Sequence, residues 1–485
     1  MRSLSTRSVQ YQIKCANHAL AHGRLGDALR IAHDFVERVF SQPLCTSQVL
    51  ASPEFDDLCL RVGAAALARR PSESAQNPWP SRPDQPLVVY LLSKWQRSGG
   101  HSRLVLDFIK AQPGKCHLVL ATGLAGPSDV DYFYEAVGNA KDVFFLTAPK
   151  TSLEEKLDWV QGALLGCQPE HVHLLNHHQD AVAVAALVPQ LGLAGSFWHH
   201  GDHHLSLGVH MPHLAHVDLH PMGYHCCRDE LGVRNCYLPL TFQDQGVETW
   251  DSDFEEQGVL TTATVARSNK IEIPYYVSYL EIIPRILKRT GGRHVHIGKL
   301  SPWALRRMRK EMRKLDVPQE SLVYLEWTPS VWRSMREHKI DVYLASFPYG
   351  AGLTLIEVMG AGVPVIMHQH IYSRVLSSLE LAYPEAFSWS DPEVLIAHLL
   401  SLTPEGLRAE KVLARRHYDR HHTAFALQDF LRDPEAVHVP VPALAPGFRP
   451  RMDEWAAWVE SQVTWRKMLF RWAYRAARNL RMRLN

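Results

Sequence analysis

One pattern limits the folds open to this chain: short apolar runs alternate with helical segments, and the alternation occurs twice in tandem. The first series is LVVYLLS from 87, CHLVLAT from 116, DVFFLTA from 142, HVHLLN from 171, LAGSFWH from 193 and VDLHPM from 217. The second is GVLTTATVA from 258, HVHIG from 294, LVYLEW from 322, DVYLAS from 341 and VPVIMH from 363, with helical stretches at 275–289, 301–315 and 352–361. Near-continuous apolar strands are buried on both faces, which a parallel sheet sandwiched by helices provides. The expected fold class is therefore α/β, with two Rossmann-like domains. Ligands of open parallel sheets bind outside the carboxyl ends of the strands, so two facing sheets would direct both sets of ends into one cleft.

The length and punctuation agree with that division. A chain of 485 residues exceeds a single core. Residues 1–80 read as a helical N-terminal segment in which Ala16, Ala19, Leu20, Leu25, Ala28, Leu29, Ala32 and Phe35 recur near helical spacing. A Pro- and Ser-rich linker at 71–86 leads into a first Rossmann-like domain, 81–245, which would hold the acceptor. A polar, acidic hinge at 241–258 precedes a second, 246–440, which would hold the donor. Residues 441–485 read as a C-terminal basic amphipathic helix, with 453–485 the part that would meet a membrane surface. Net charge is +2, with none of the global basic field of a nucleic-acid binder. Eight cysteines without a CxxC pair read as reduced thiols, and the first twenty residues carry no apolar signal core. These features predict a cytoplasmic protein.

The most informative segment is DVYLASFPYGAGLTLIEVMGAGVPVI, 341–366. A strand ends near Ser346, a loop carries Pro348, Tyr349, Gly350 and Gly352, and a helix opens at Leu353 and Thr354. Glycines allow close backbone approach, and a helix N-terminus offers unpaired amides and partial positive charge, which suits a diphosphate. Glu357, one turn into the helix, can accept from vicinal ribose hydroxyls. In the first series, Gly99, Gly100 and His101 follow a strand at the start of a helix, and His199, His200 and Asp202 follow another strand. All of these are expected to reach the cleft.

The 341–366 segment resembles the donor-binding motif of GT-B glycosyltransferases, in the form found in O-GlcNAc-transferase-like enzymes and bacterial adhesin N-glucosyltransferases. ARSNKIEIPYYVSYLEIIPRILKRTGGRHVHIG, 266–298, and HQHIYSRVLSSLELAYPEAFSWSDPEVLIAHLLSL, 368–402, resemble further blocks of the same enzymes. The resemblance covers roughly 258–430. It implies a GT-B fold and a nucleotide-diphosphate-sugar donor, UDP-linked. It places Gly352, Leu353 and Thr354 at the diphosphate, Glu357 on the ribose, Lys270 against the leaving group and Arg374 in the donor site. His101 and His200 become candidates for proton transfer, with His199 and Asp202 on the acceptor side. Two departures stand out. Tyr349 occupies the place of the first glutamate in the retaining E-x7-E pattern, which points to inversion, and Leu353 replaces a threonine. No DxD-type motif accompanies the donor segment, so no metal cofactor is expected.

Nine histidines fall between His199 and His225. They include no HExxH and no finger-spaced cysteines, so they are read as cleft and structural residues. From Trp465 onward, Met468, Leu469, Trp472, Ala476 and Leu480 share one helical face, and Arg466, Lys467, Arg471, Arg475 and Arg478 share the other. Such a basic amphipathic helix lies on an anionic membrane surface or packs back across the first domain. The acceptor is a glycan, a lipid-linked sugar or a protein side chain. A non-catalytic GT-B-like subunit and a sugar-nucleotide epimerase remain as alternatives.

Overall fold

The computed structural model describes residues 6–41, 45, 47–70, 85–97, 100–247, 250, 252–350, 352–433, 439–446 and 448–461, with Leu469 and Ala473 beyond them. Two separate parallel sheets carry the chain. The first has strands β1 Leu87–Leu92, β2 Cys116–Ala121, β3 Val143–Thr147, β4 His171–Leu175, β5 Gly195–His199, β6 Ala215–Asp218 and β7 Asn235–Tyr237, in the spatial order β3-β2-β1-β4-β5-β6-β7. The second has β8 Thr261–Val265, β9 Arg293–Ile297, β10 Leu322–Leu325, β11 Val342–Leu344, β12 Val365–His368 and β13 Ser388–Trp389, in the order β10-β9-β8-β11-β12-β13. In both, the order reverses at the first strand, the topological switch point where open α/β sheets leave a crevice. β1 and β2 are buried along their whole length, as apolar strands covered on both faces must be.

The N-terminal helices Thr6–Ala21, Leu25–Phe40 and Pro53–Ala68 are part of the first domain's core. Leu25, Ala28, Leu29, Ala32, Phe55 and Val62 share one buried apolar cluster with β1, β2 and helix Ala181–Ala186. Gly63 makes the closest approach: a Cβ there would lie 1.9 Å from the carbonyl oxygen of Ala185. Any side chain would force the two helices apart. Asp56 ties the segment further, accepting from the amides of Gly208 at 2.7 Å and His210 at 2.8 Å.

The second domain returns to the first through helices Pro404–His421 and Ala424–Arg432. Tyr418 Oη donates to the Phe242 carbonyl at 2.7 Å, and the Phe242 amide donates to the His422 carbonyl at 2.9 Å. Phe430 then reaches Trp198, with ring centroids 5.8 Å apart. The later helix Met452–Ser461 does not pack across the first domain. Its buried Trp455 lies against Tyr275, His370 and Tyr372 of the second. Apolar surface selects that position, since Trp455 is the helix's one buried side chain. The basic face assigned to 466–478 lies outside the described residues. Among the described residues no helix is long and apolar enough to cross a membrane.

Candidate active site

A cleft of about 560 Å³ opens between the strand ends of the two sheets. The second domain's wall includes one continuous segment that carries most of the motif residues. β11 ends at Leu344, and the loop through Tyr349 and Gly350 leads to helix Leu353–Gly360. Tyr349, Gly350, Gly352, Leu353, Thr354 and Glu357 all line the cleft. Gly350 lies against the turn at 374–378, where a Cβ would come within 2.6 Å of the Leu376 carbonyl. Its own carbonyl accepts from Lys270 Nζ at 2.9 Å. Lys270 thus fastens the loop while lining the cleft beside it. Burial, with help from the nearby Arg267 charge, lowers its pKa to about 8. An anion arriving in the cleft would favour its charged form.

Glu357 accepts weakly from the Trp332 amide, at 3.4 Å. Burial raises its carboxyl to about 7, against the lowering influence of Arg103 and the backbone amides. A carboxyl group kept in a dry position and facing a cleft is the pattern of a ligand-binding side chain.

The first domain's wall joins the 95–106 stretch to side chains distant from it in sequence. Asp202 is almost fully buried and accepts from His220 Nδ1 at 2.6 Å. Burial alone would lower the imidazole's pKa, but the Asp202 carboxylate outweighs it and raises it. Burial would raise Asp202, yet the His220 and His203 contacts hold it well below the usual carboxylate range. Asp202 thus favours the charged form of His220, whose ring faces the Gly350–Gly352 loop. A Cβ on Gly352 would lie 3.5 Å from His220 Nε2. The sequence reading assigned His220 no role. Its position directly after β6 and before the helix-opening Pro221 carried the signal.

His200 also lines the cleft, against Gly100, where a Cβ would lie 2.5 Å from the imidazole Cε1. Gly100 thus makes room for a ring. Burial chiefly lowers His200 to about 3, so it is neutral at physiological pH. Three expectations need correction. His101 does not project into the cleft; it is buried behind His200, with ring centroids 4.4 Å apart, and burial holds its pKa well below the ordinary value. His199 is 1% exposed and faces Asp218 instead, because neighbouring residues of a strand point to opposite faces. Arg374 does not line the cleft. Its guanidinium donates to Glu380 at 2.8 Å and to the Ala445 carbonyl at 2.7 Å, and Val375, Leu376 and Ser378 of the same turn reach the cleft in its place. Gly99 lies outside the described residues.

Two parallel sheets with a shared cleft at their strand ends, crossed by a returning C-terminal helix, define a fold of the GT-B glycosyltransferase type. Solved structures of this kind include HepE from Anabaena in complex with UDP and glucose, 12% identical with a TM-score of 0.54 over 72% of this chain and 99% of that one. A glycosyltransferase from Rickettsia africae ESF-5 is 12% identical with a TM-score of 0.55, over 72% and 97% of the two chains. The lipopolysaccharide outer core galactosyltransferase WaaB is 13% identical with a TM-score of 0.51, over 71% and 98%. No family model and no curated protein matches the chain in sequence.

Proposed function

We propose that the protein transfers a hexosyl or N-acetylhexosaminyl unit from a UDP-linked donor to an acceptor hydroxyl or amide, on a glycan, a lipid-linked sugar or a protein, with inversion at the anomeric carbon. The observation that carries this reading is the meeting of Lys270, the N-terminus of helix Leu353–Gly360 and the Asp202–His220 pair at one place in the cleft. The similar HepE structures hold UDP, UDP-glucose, or UDP and glucose.

In this mechanism the acceptor attacks C1 as the bond from C1 to the phosphate oxygen breaks, and the acceptor's proton passes through the neutral His200 imidazole to the departing diphosphate or to solvent. Negative charge grows on the departing diphosphate. Lys270, the amides at Leu353 and Thr354, and the His220 imidazolium meet that charge without a divalent cation. Glu357 holds the ribose, and the Gly350–Gly352 loop lets the backbone approach the phosphates. Because Asp202 raises the pKa of His220 and favours its charged form, it is suited to act as a cation rather than a base. The low pKa of His200 likewise makes it a weak general base. Inversion needs no carboxylate nucleophile. Among the described cleft residues the carboxylates are Asp202, Glu326 and Glu357. Asp202 is held by His220, Glu357 accepts weakly from the Trp332 amide, and Glu326 is an exposed side chain 3.9 Å from Lys299.

The test is a panel of nucleotide sugars incubated with the full chain in buffer without added divalent cations, read by NMR for donor cleavage and anomeric configuration. Cleavage of a UDP-sugar with release of the inverted product is the expected result. Interconversion of the sugar with the diphosphate intact would assign epimerase chemistry instead.

A further inference from the structure

Behind the Asp202–His220 pair lies a second cluster, outside the cleft. His199 closes β5, His216 and Asp218 sit on β6, and Cys227 lies on helix Pro221–Asp229. One ligand atom from each residue lies within 4.8 Å of all the others, and the four residues are 1%, 6%, 0% and 1% exposed. We propose that these four residues form a structural site for a single zinc ion.

The distances support tetrahedral coordination. His199 Nδ1 is 2.9 Å from Asp218 Oδ1, and Cys227 Sγ is 3.3 Å from His199 Nδ1 and 3.5 Å from Asp218 Oδ1. Bonds of about 2.0–2.1 Å to nitrogen or oxygen and about 2.3 Å to sulfur place tetrahedral ligand atoms about 3.3–3.6 Å apart. To reach that geometry His199 Nδ1 and Asp218 Oδ1 would move apart from hydrogen-bond distance, and the wider pairs, all within 4.8 Å, would draw in.

His216 and Asp218 have outer partners of the kind a metal site uses, while His199 Nε2 has none among the described residues. His216 Nδ1 lies 3.3 Å from the Val209 carbonyl, which fixes that nitrogen as the donor and leaves Nε2 as a lone pair. Nε2 stands 3.3 Å from Asp218 Oδ2 with no hydrogen bond of its own. A cation between Nε2 and the carboxylate, a metal ion or the imidazole's own proton, would satisfy both groups in this dry interior. Asn235 Nδ2 donates to Asp218 Oδ2 at 2.6 Å, orienting the carboxylate.

Charge balance agrees. A dication with one thiolate, one carboxylate and two neutral imidazoles is neutral, so no net charge is buried. The Cys227 proton leaves to solvent when the metal binds. Mixed imidazole, thiolate and carboxylate ligands suit zinc and disfavour magnesium and calcium. The site would pin the ends of β5 and β6, and these two strand ends carry His200, Asp202 and His220 into the cleft.

The experiment uses the untagged full chain grown with added zinc and then desalted. Elemental mass spectrometry is expected to find about one zinc per chain, and less than about a tenth of that in Cys227→Ser and His216→Ala. Because either variant could unfold, wild type is also exchanged with cobalt. A thiolate-to-cobalt charge-transfer band with tetrahedral ligand-field bands is expected. A folded wild-type chain without zinc would overturn the proposal. So would a cobalt spectrum without the thiolate band, or a Cys227→Ser chain that keeps its full zinc.

Discussion

The two walls of the cleft are built by different means. In the second domain's wall, Gly350, Gly352, Leu353, Thr354 and Glu357 fall within eight residues, while Lys270, the 326–331 stretch and Val375, Leu376 and Ser378 reach the cleft from elsewhere. Its function rests on backbone amides, a helix terminus and one carboxyl group. The first domain's wall is assembled from Gly100, His200, Asp202 and His220, brought together by the sheet order and held by side-chain contacts. The difference teaches that a backbone-built site survives in sequence as a motif, whereas a side-chain network does not.

That contrast can be tested at its strongest point first. Lys270→Ala should lower kcat by about 10² to 10³, with little change in the donor KM, because its contact strengthens as the diphosphate takes up charge. Arginine should rescue poorly, since its planar fork does not reproduce an ammonium bound to the Gly350 carbonyl. Steady-state kinetics with varied donor separates the two constants. Equal effects on kcat and KM would make Lys270 a ground-state binder only.

On the opposite wall the expected change is one of pH. Asp202 favours the charged form of His220, so activity that needs the imidazolium is present below its raised pKa and lost as pH rises through it. Asp202→Asn removes that support, and the falling limb of the kcat profile that belongs to His220 should move to lower pH. A profile that stays in place would remove His220 from the charge-stabilising set.

The smallest effect concerns stability. Glu357 titrates near 7 in the folded chain instead of 4.5, so the native state holds a proton over that interval that the unfolded state has lost. Stability therefore falls as pH rises through the interval. Glu357→Gln, which cannot ionise, should melt higher than wild type at pH 8, by on the order of 2 °C, and equally at pH 4. A lower melting temperature at pH 8 would show that the carboxylate stabilises the fold.

The same contrast explains what could be read from the sequence. The long apolar strands and the glycine-punctuated helix start were legible because period and punctuation are local. β7 and β13, of three and two residues, were not foreseen, since runs that short carry no period. His199 and His200 looked equivalent as neighbours, but the pleat sends one inward to Asp218 and the other to the cleft. Arg374 matched a donor-site position, yet Glu380 and the distant Ala445 carbonyl capture it. His220 escaped notice because its partner, Asp202, is eighteen residues away on another strand end. The buried His199, His216, Asp218 and Cys227 group escaped for the same reason: its members span two strands and a helix with no motif spacing.

The central claim is that a nucleoside diphosphate binds at the Leu353 helix with its ribose on Glu357. Calorimetric titration of UDP into wild type and Glu357→Ala, without added divalent cation, tests it most directly. Each lost hydrogen bond to a charged carboxylate is worth about 1.5–3 kcal/mol, so the variant should bind UDP at least about tenfold more weakly while wild type binds without metal. Identical affinities in the two proteins, or wild-type binding that appears only when manganese is added, would contradict the account.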